Sequence, residues 1–383
     1  PAHVRSRQSS LRGYIALRRR AFQAAHDFAL QGLDQLDEHD NGYLRSYLLF
    51  VLGEAQCVVA HTRAAIATLH ESNATAERNG NLLIAAGTMG NLALHINLCA
   101  QRSKALTVCR SGLQRYVNGY GTPLPVTNLL HVAMGLLLYE GDDLDGAMRY
   151  LQRAEALSQT MRLRWAVIYA RILVARVHAT HGDSQAALHI LERARELASE
   201  IGMTGYQYAV DAATADVHLR AGNLNAARHW LAQAELPPVG ELDPLRQTRA
   251  LTHARVMIAA GEVVEAETLL RKLDRVALQL GRDRLRITIL LLRALCHPAN
   301  SQAALDHMRE ALRLAAPEHY IRAFRDESPA LLANLPALRS IAPDFVDALL
   351  DKSAKDDILP PVVALSERER AVEQVHEVLH RRR

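Results

Sequence analysis

An all-α fold, a tetratricopeptide-like α-solenoid of about eight helical hairpins, is what this sequence predicts, and three observations predict it. Small residues recur in pairs 12 positions apart, and the pairs recur about every 40 residues along the 383-residue chain. Turn signals stand between the members of several pairs, at Gly182-Asp183-Ser184, Gly222-Asn223-Leu224 and Gly261-Glu262-Val263. The composition is 49% hydrophobic but only 5% aromatic, with Ala and Leu dominant. That balance suits closely packed helices and not a β-sandwich, where Val, Ile, Thr and aromatics lead.

The units follow in order. The first carries Gly13 and Ala25, the second Gly53 and Ala65, the third Ala93 and Ala105, and the fourth Gly135 and Ala147. Ala175 and Ala187 mark the fifth, Ala215 and Ala227 the sixth, Ala254 and Ala266 the seventh. An eighth, Ala294 and Ala304, has its internal turn shortened by two residues. Through the seventh unit the steps are 40, 40, 42, 40, 40 and 39 residues. Seven residues beyond each Ala come Gly32, Ser72, Gly112, Ala154, Ala194, Ala234, Leu273 and Ala311, which fixes the register. Four residues beyond it stands mostly a large apolar group: Leu69, Leu151, Leu191, Leu231, Leu270, Met308.

The spacing has a physical cause. Gly ends the first helix of a hairpin in a left-handed conformation, and the Asp, Asn or Ser that follows caps the second. Small residues let the helices approach, and the Leu side chains fill the seam. One hairpin cannot bury its apolar stripe alone, whereas a stack of eight shares a continuous core and curves into a superhelix with a concave face. Residues 117–127 (VNGYGTPLPVT) account for the 42-residue step as a longer loop, and 236–245 (LPPVGELDPL) make a similar break before the seventh unit. Beyond the repeat domain of residues 1–316, residues 317–350 read as a closing helical segment. Residues 351–363 read as a polar, Pro-containing linker, and the last twenty as the start of another helix.

Charged residues are 22% of the chain, too few for a disordered polymer, and the net charge of +4 is near neutral at this length, which does not mark a nucleic-acid protein. Cys57, Cys99, Cys109 and Cys296 form no CxxC pair and sit in apolar helical context, as buried thiols of a reducing compartment do. The start, PAHVRSRQSS, has no initiator Met and no apolar signal core, so the chain reads as processed or cut from a longer one. No run approaches the length of a membrane span, and a cytoplasmic location is expected.

Enzyme motifs are nearly absent: there is no GxxxxGK phosphate loop, no GxSxG and no HExxH. No metal is expected. His178 and His181 lack a third ligand and read as a polar helix terminus, and His95 reads as filler of the core or groove. The runs Arg18-Arg19-Arg20 and Arg381-Arg382-Arg383 read as solvated surface. More is carried by the residue just after the first small position of each unit, which points to the concave groove. Down the array it is Tyr14, Glu54, Leu94, Leu136, Arg176, Asp216, Arg255 and Leu295. Arg176, Asp216 and Arg255 stand one repeat apart on one face, with Asn97, Tyr139 and Tyr169 nearby. Two readings stand. Either these charges form an inter-repeat salt ladder that orders the stack, or Arg176 and Arg255, held apart by Asp216, present donors to an anionic small molecule or peptide.

The carboxyl half also carries a resemblance. RALTHARVMIAAGEVVEAETLLRKL (249–273), LLLRAL (290–295) and MREALRLAAPEHYIRAFRDESPALLANL (308–335) resemble the sensor region of MalT-like regulators, the ATP-dependent, LuxR-type, STAND-class bacterial transcription activators. Its most specific element is Ala311, Leu312, Leu314, Ala315, Pro317, Glu318, Tyr320, Arg322, Phe324, Asp326 and Glu327. The resemblance implies an inducer sensor that does no chemistry and controls self-association of a larger protein. ATP is then bound by an upstream Walker module, so no cofactor is expected in this chain. Leu365-Ser366-Glu367-Arg368-Glu369-Arg370 resembles the opening of the LuxR-type helix-turn-helix, but the recognition helix does not follow, so DNA binding is not assigned here. The sensor expectation stands beside a second one, a stand-alone scaffold whose groove holds a peptide or partner protein.

Overall fold

The computed structural model describes residues 2–36, 42–236 and 243–351. Their regular structure is helical, and the described part of the chain forms the solenoid of eight hairpins. The first four are α1 (Ala2–Arg18) with α2 (Phe22–Asp34), α3 (Tyr43–Val59) with α4 (Thr62–Arg78), α5 (Leu82–Leu98) with α6 (Arg102–Arg115), and α7 (Asn128–Glu140) with α8 (Leu144–Thr160). The second four are α9 (Arg164–Thr180) with α10 (Ser184–Glu200), α11 (Thr204–Arg220) with α12 (Leu224–Gln233), α13 (Pro244–Ala260) with α14 (Val263–Leu280), and α15 (Asp283–Leu295) with α16 (Gln302–Ala315). A closing segment follows, made of short 3-10 turns, α17 (Ile321–Arg325) and α18 (Pro343–Leu350).

Packing follows the repeat register. The second-position alanines Ala25, Ala65, Ala105, Ala147, Ala187, Ala227, Ala266 and Ala304 are all fully buried. Leu69, Leu151, Leu191, Leu270 and Met308 are buried one turn further on. A Cβ added at Gly135 would lie 2.6 Å from Leu151 Cγ, so the absence of a side chain there is what lets the leucine close the seam. The turns also behave as read: Gly182 takes φ +83° and Gly222 +77°, while Asp183 accepts from the Ala186 N–H at 3.0 Å and Asn223 from the Ala226 N–H at 3.1 Å. Glu262 makes no such cap.

One register position departs from expectation. α12 ends at Gln233, so Ala234 is an extended C-cap, half-buried and outside the seam. The cause lies in the Pro237-Pro238 pair: the residue before a proline is barred from helical backbone, and the helix stops short. In the 117–127 loop an isolated antiparallel bridge joins Val117 to Pro123 before α7 begins.

The superhelix does not stay open. Its last hairpin returns against its first ones, and α15 packs on α5. Arg282, fully buried, donates to the Cys57 carbonyl of α3, while Glu318 accepts from the Ser103 N–H at 2.6 Å. Near the amino end the structure corrects the reading of Arg18-Arg19-Arg20 as solvated. Arg18 lies over the Trp165 ring at 4.7 Å, and Arg20 is ion-paired with the fully buried Asp243. Contacts to α9 and to the cap of α13, more than 140 residues away, are what local sequence cannot announce. No helix among the described residues is long and apolar enough to cross a membrane. The expected linker from 352 onward, the helix-turn-helix opening and Arg381-Arg382-Arg383 lie outside the described residues.

Candidate functional site

The concave face is built by the row of residues that follows each first small position. Tyr14, Glu54, Leu94, Leu136, Arg176, Asp216, Arg255 and Leu295 are all partly buried, whereas the small residues before them are buried. The row therefore faces a groove, and the middle of that groove is occupied. α17 and the two residues after it lie across the wall made by α5, α7, α9, α11 and α13.

The occupant presents two adjacent carboxylates. Asp326, whose side chain is 2% exposed, accepts from the Tyr139 hydroxyl at 2.7 Å and from Arg176 Nη2 at 3.0 Å. Arg220 approaches its other oxygen at 3.4 Å, and Arg322 Nε donates to that oxygen at 2.9 Å. Glu327 is held by Arg255, through Nε at 2.9 Å and Nη2 at 2.5 Å. Above them, Tyr320 is fully buried and its hydroxyl donates to Asn97 Oδ1 at 2.8 Å. Arg284 stacks at 5.3 Å from the Tyr320 ring while donating to Glu140 at 2.7 Å, and Arg322 and Arg325 both reach Asp142.

Electrostatics hold this arrangement ionised. Burial alone would raise the Asp326 carboxyl, but Arg220, Arg176 and Arg322 together hold it far below the carboxylate range. Burial also raises partly buried Asp216, yet Arg220 first and Arg255 second hold it below its ordinary value. The Arg176 guanidinium sits 4.8 Å from the Tyr139 ring centroid, so aromatic face and carboxylate bind it together.

Of the sequence-derived candidates, Asn97, Tyr139, Arg176 and Arg255 meet on this one occupant. Asp216 also belongs to the network, 3.7 Å from Arg255 Nη1 and electrostatically coupled to Arg176. Its nearest partner is Arg220 at 2.8 Å, one helical turn on; that i,i+4 acid–base spacing was the signal available in the sequence. Asp326 joins Arg176 to Arg220, and Asp142 takes Arg322 and Arg325. Tyr169 lies on α9 near Arg176, its hydroxyl pushed up to about 12 by burial and by Tyr206.

Glu54 belongs elsewhere. Its Oε1 accepts from His95 Nε2 at 3.0 Å, while His95 Nδ1 meets Cys57 Sγ at 3.4 Å. Burial pushes the Cys57 thiol up, but the His95 imidazole brings it below its ordinary value; burial pushes His95 down, but Cys57 and Glu54 raise it to about 10. This is the geometry of a nucleophile, a base and an orienting carboxylate, closed off at a cysteine 2% exposed. No spacing rule would have joined residues from α3 and α5. A second unforeseen set is Glu267, His297 and His307, whose ligand atoms lie within 4.8 Å of one another, with Arg293 already donating to Glu267 at 2.9 Å. His178 pairs with Asp183 at 3.7 Å.

Fold and groove define the class: a tetratricopeptide-type α-solenoid whose concave face grips a peptide segment by its carboxylates. The chain belongs to the MalT-like TPR region family, whose model matches residues 8–340. Among solved structures it is similar to a Rap protein complexed with competence and sporulation factor, at 12% identity and TM-score 0.60, covering 91% of this chain and 97% of that one. It is also similar to NprR in complex with its cognate peptide NprX, at 14% identity and TM-score 0.57, covering 90% and 98%. A STAND protein with a tetratricopeptide repeat sensor from Pyrococcus horikoshii matches at 14% identity and TM-score 0.42, covering 94% of this chain and 52% of that one. No curated protein matches the sequence.

Proposed function

We propose that this chain is the non-catalytic, effector-sensing and protein-interaction region of a MalT-like transcription activator, working in the cytoplasm. An anionic effector, small molecule or peptide, is recognised in the concave groove by Arg176, Arg220 and Arg255, with Asp216, Tyr139 and Asn97 shaping the site. Effector binding shifts the equilibrium between two states of the array and so controls self-association of the regulator, to the extent that its affinity differs between them. ATP and DNA are bound by other modules in this reading. One observation carries it: the groove arginines already hold two side-chain carboxylates of the chain's own closing segment, which supports an acidic ligand.

A thermal-shift screen of acidic metabolites and peptides, repeated with Arg176→Gln and Arg255→Gln, tests the reading. A ligand at about 100 times its dissociation constant adds roughly 2.7 kcal/mol of stability. The expected hit is lost in both variants while their helical circular dichroism persists. A hit indifferent to both substitutions moves the site elsewhere. The second reading, a scaffold for a peptide or partner protein, is favoured by the nature of the occupant, a segment of polypeptide, and by the cognate peptide in the NprR complex.

A further inference from the structure

We infer that the closing segment is a tethered occupant that latches the superhelix shut, and that the ligand which opens it is a peptide bearing two adjacent acidic side chains. The inference rests on the groove reading above and specifies its ligand and its regulation.

The two sides of the segment differ in chemistry. Toward its own hairpin it is apolar: Ile321, Phe324, Leu331 and Phe345 are buried in one cluster with Ile287, Leu291 and Leu312 of α15 and α16. Toward the groove wall it is polar: Tyr320 on Asn97, Arg322 on Asp142, Asp326 on Tyr139 and Arg176, Glu327 on Arg255. The closing segment therefore coheres with α15 and α16 through apolar burial, and α15 in turn packs on α13 and α14 through Leu285, Ile289 and Leu292, while across the groove the segment docks on the opposite wall through ion pairs and hydrogen bonds. A competing ion can replace the second kind of contact but not the first, so opening parts the segment from the opposite wall and leaves its apolar packing intact.

The wall left behind specifies the competitor. Arg176, Arg220 and Arg255 remain along consecutive units with Asp216 among them, while Asp142 and Glu140, the partners of Arg322, Arg325 and Arg284, lie at the α7 end of the wall. Asp326 and Glu327 satisfy the three wall arginines from adjacent positions of one backbone, with an aromatic residue, Tyr320, seated further along the groove on Asn97. A peptide with neighbouring acidic side chains reproduces all of these contacts, whereas a small dicarboxylate reproduces only the charge.

The test uses the full 383-residue chain and, as probe, a fluorescein-labelled peptide copying residues 318–328 (EHYIRAFRDES). Anisotropy titrations compare the wild type with the Asp326→Asn/Glu327→Gln chain. In the double variant the internal carboxylates no longer compete, so the probe binds at least tenfold more tightly, and a probe with Asn-Gln in place of its Asp-Glu binds neither chain. In wild type at saturating probe, the amides of residues 321–327 exchange faster with deuterium; this arm decides the matter if the double variant loses its helical circular dichroism. Equal affinity for both chains, or unchanged exchange in the wild type, overturns the latch and leaves the groove reading standing. Succinate displacing the probe as effectively as unlabelled peptide overturns the peptide assignment. A metabolite hit that depends on Arg176, with no acidic peptide bound, also overturns the peptide assignment but keeps the groove.

Discussion

Asp326 concentrates the electrostatics of the groove in one side chain. It is shared by Tyr139, Arg176, Arg220 and Arg322, so Asp326→Asn takes the carboxylate from partly buried Arg176 and leaves Arg220 only Asp216 and Arg322 only Asp142. Removing one member of a buried ion network costs about 3–5 kcal/mol, and here the loss is expected as faster amide exchange of residues 321–327. The same group sets an acid dependence. Because the folded pKa values of Asp326 and Asp216 lie below their ordinary ones, their stabilisation is complete above about pH 4 and declines as pH falls below it. Urea melts at pH 6, 4 and 3 should show the wild type losing more between pH 4 and 3 than Asp326→Asn does. At the Cys57–His95 pair the thiol is held below its ordinary value by the imidazole, and the imidazole is raised to about 10 by Cys57 and Glu54 against the cost of burial. His95 should titrate near 10 by NMR, and Cys57→Ser should lower that value because the thiolate is its chief electrostatic support. The wall residues were legible in the sequence because they share a repeat position. Asp326 and Glu327 were visible only as part of a family resemblance, since nothing local says that they fold back about 150 residues to reach Arg176.

At the scale of the hairpin, sequence and structure agree because local chemistry decides the outcome. Small residues paired 12 positions apart, a glycine at the turn and an Asp or Asn after it each specify geometry within a few residues. Where the chain departs, at Ala234, the nearby prolines override the repeat. Gly135 tests how tightly the seam is set. An alanine in mid-helix gains about 0.5–1 kcal/mol in backbone entropy, but its Cβ would meet Leu151 Cγ at 2.6 Å, and overpacking of that kind costs about 1–3 kcal/mol. Gly135→Ala is therefore expected to destabilise by about 1 kcal/mol in chemical denaturation. Gly182→Ala fails for another reason, its φ of +83°, and has nothing within 4 Å to clash with.

Across the whole molecule, closure changes what kind of object the solenoid is. An open array is stabilised only by neighbours, and its units melt semi-independently. Here Arg282 on Cys57, Glu318 on Ser103 and Arg255 on Glu327 tie distant units together. Calorimetry of the wild type should show one sharp transition, and Asp326→Asn/Glu327→Gln should split it, with the earlier step parting the closing segment from the opposite groove wall. The same contacts bear on the order in which the protein is made. Chains emerge from the ribosome amino end first and fold by units as they do. The Arg176, Arg220 and Arg255 wall is therefore complete when Asp326 and Glu327 are still to be translated, about 70 residues after Arg255. During that interval of several seconds at ordinary elongation rates, the wall is bare and the tethered carboxylates cannot yet compete for it. A ligand present then meets its site before the latch exists, so the nascent chain is its most receptive form.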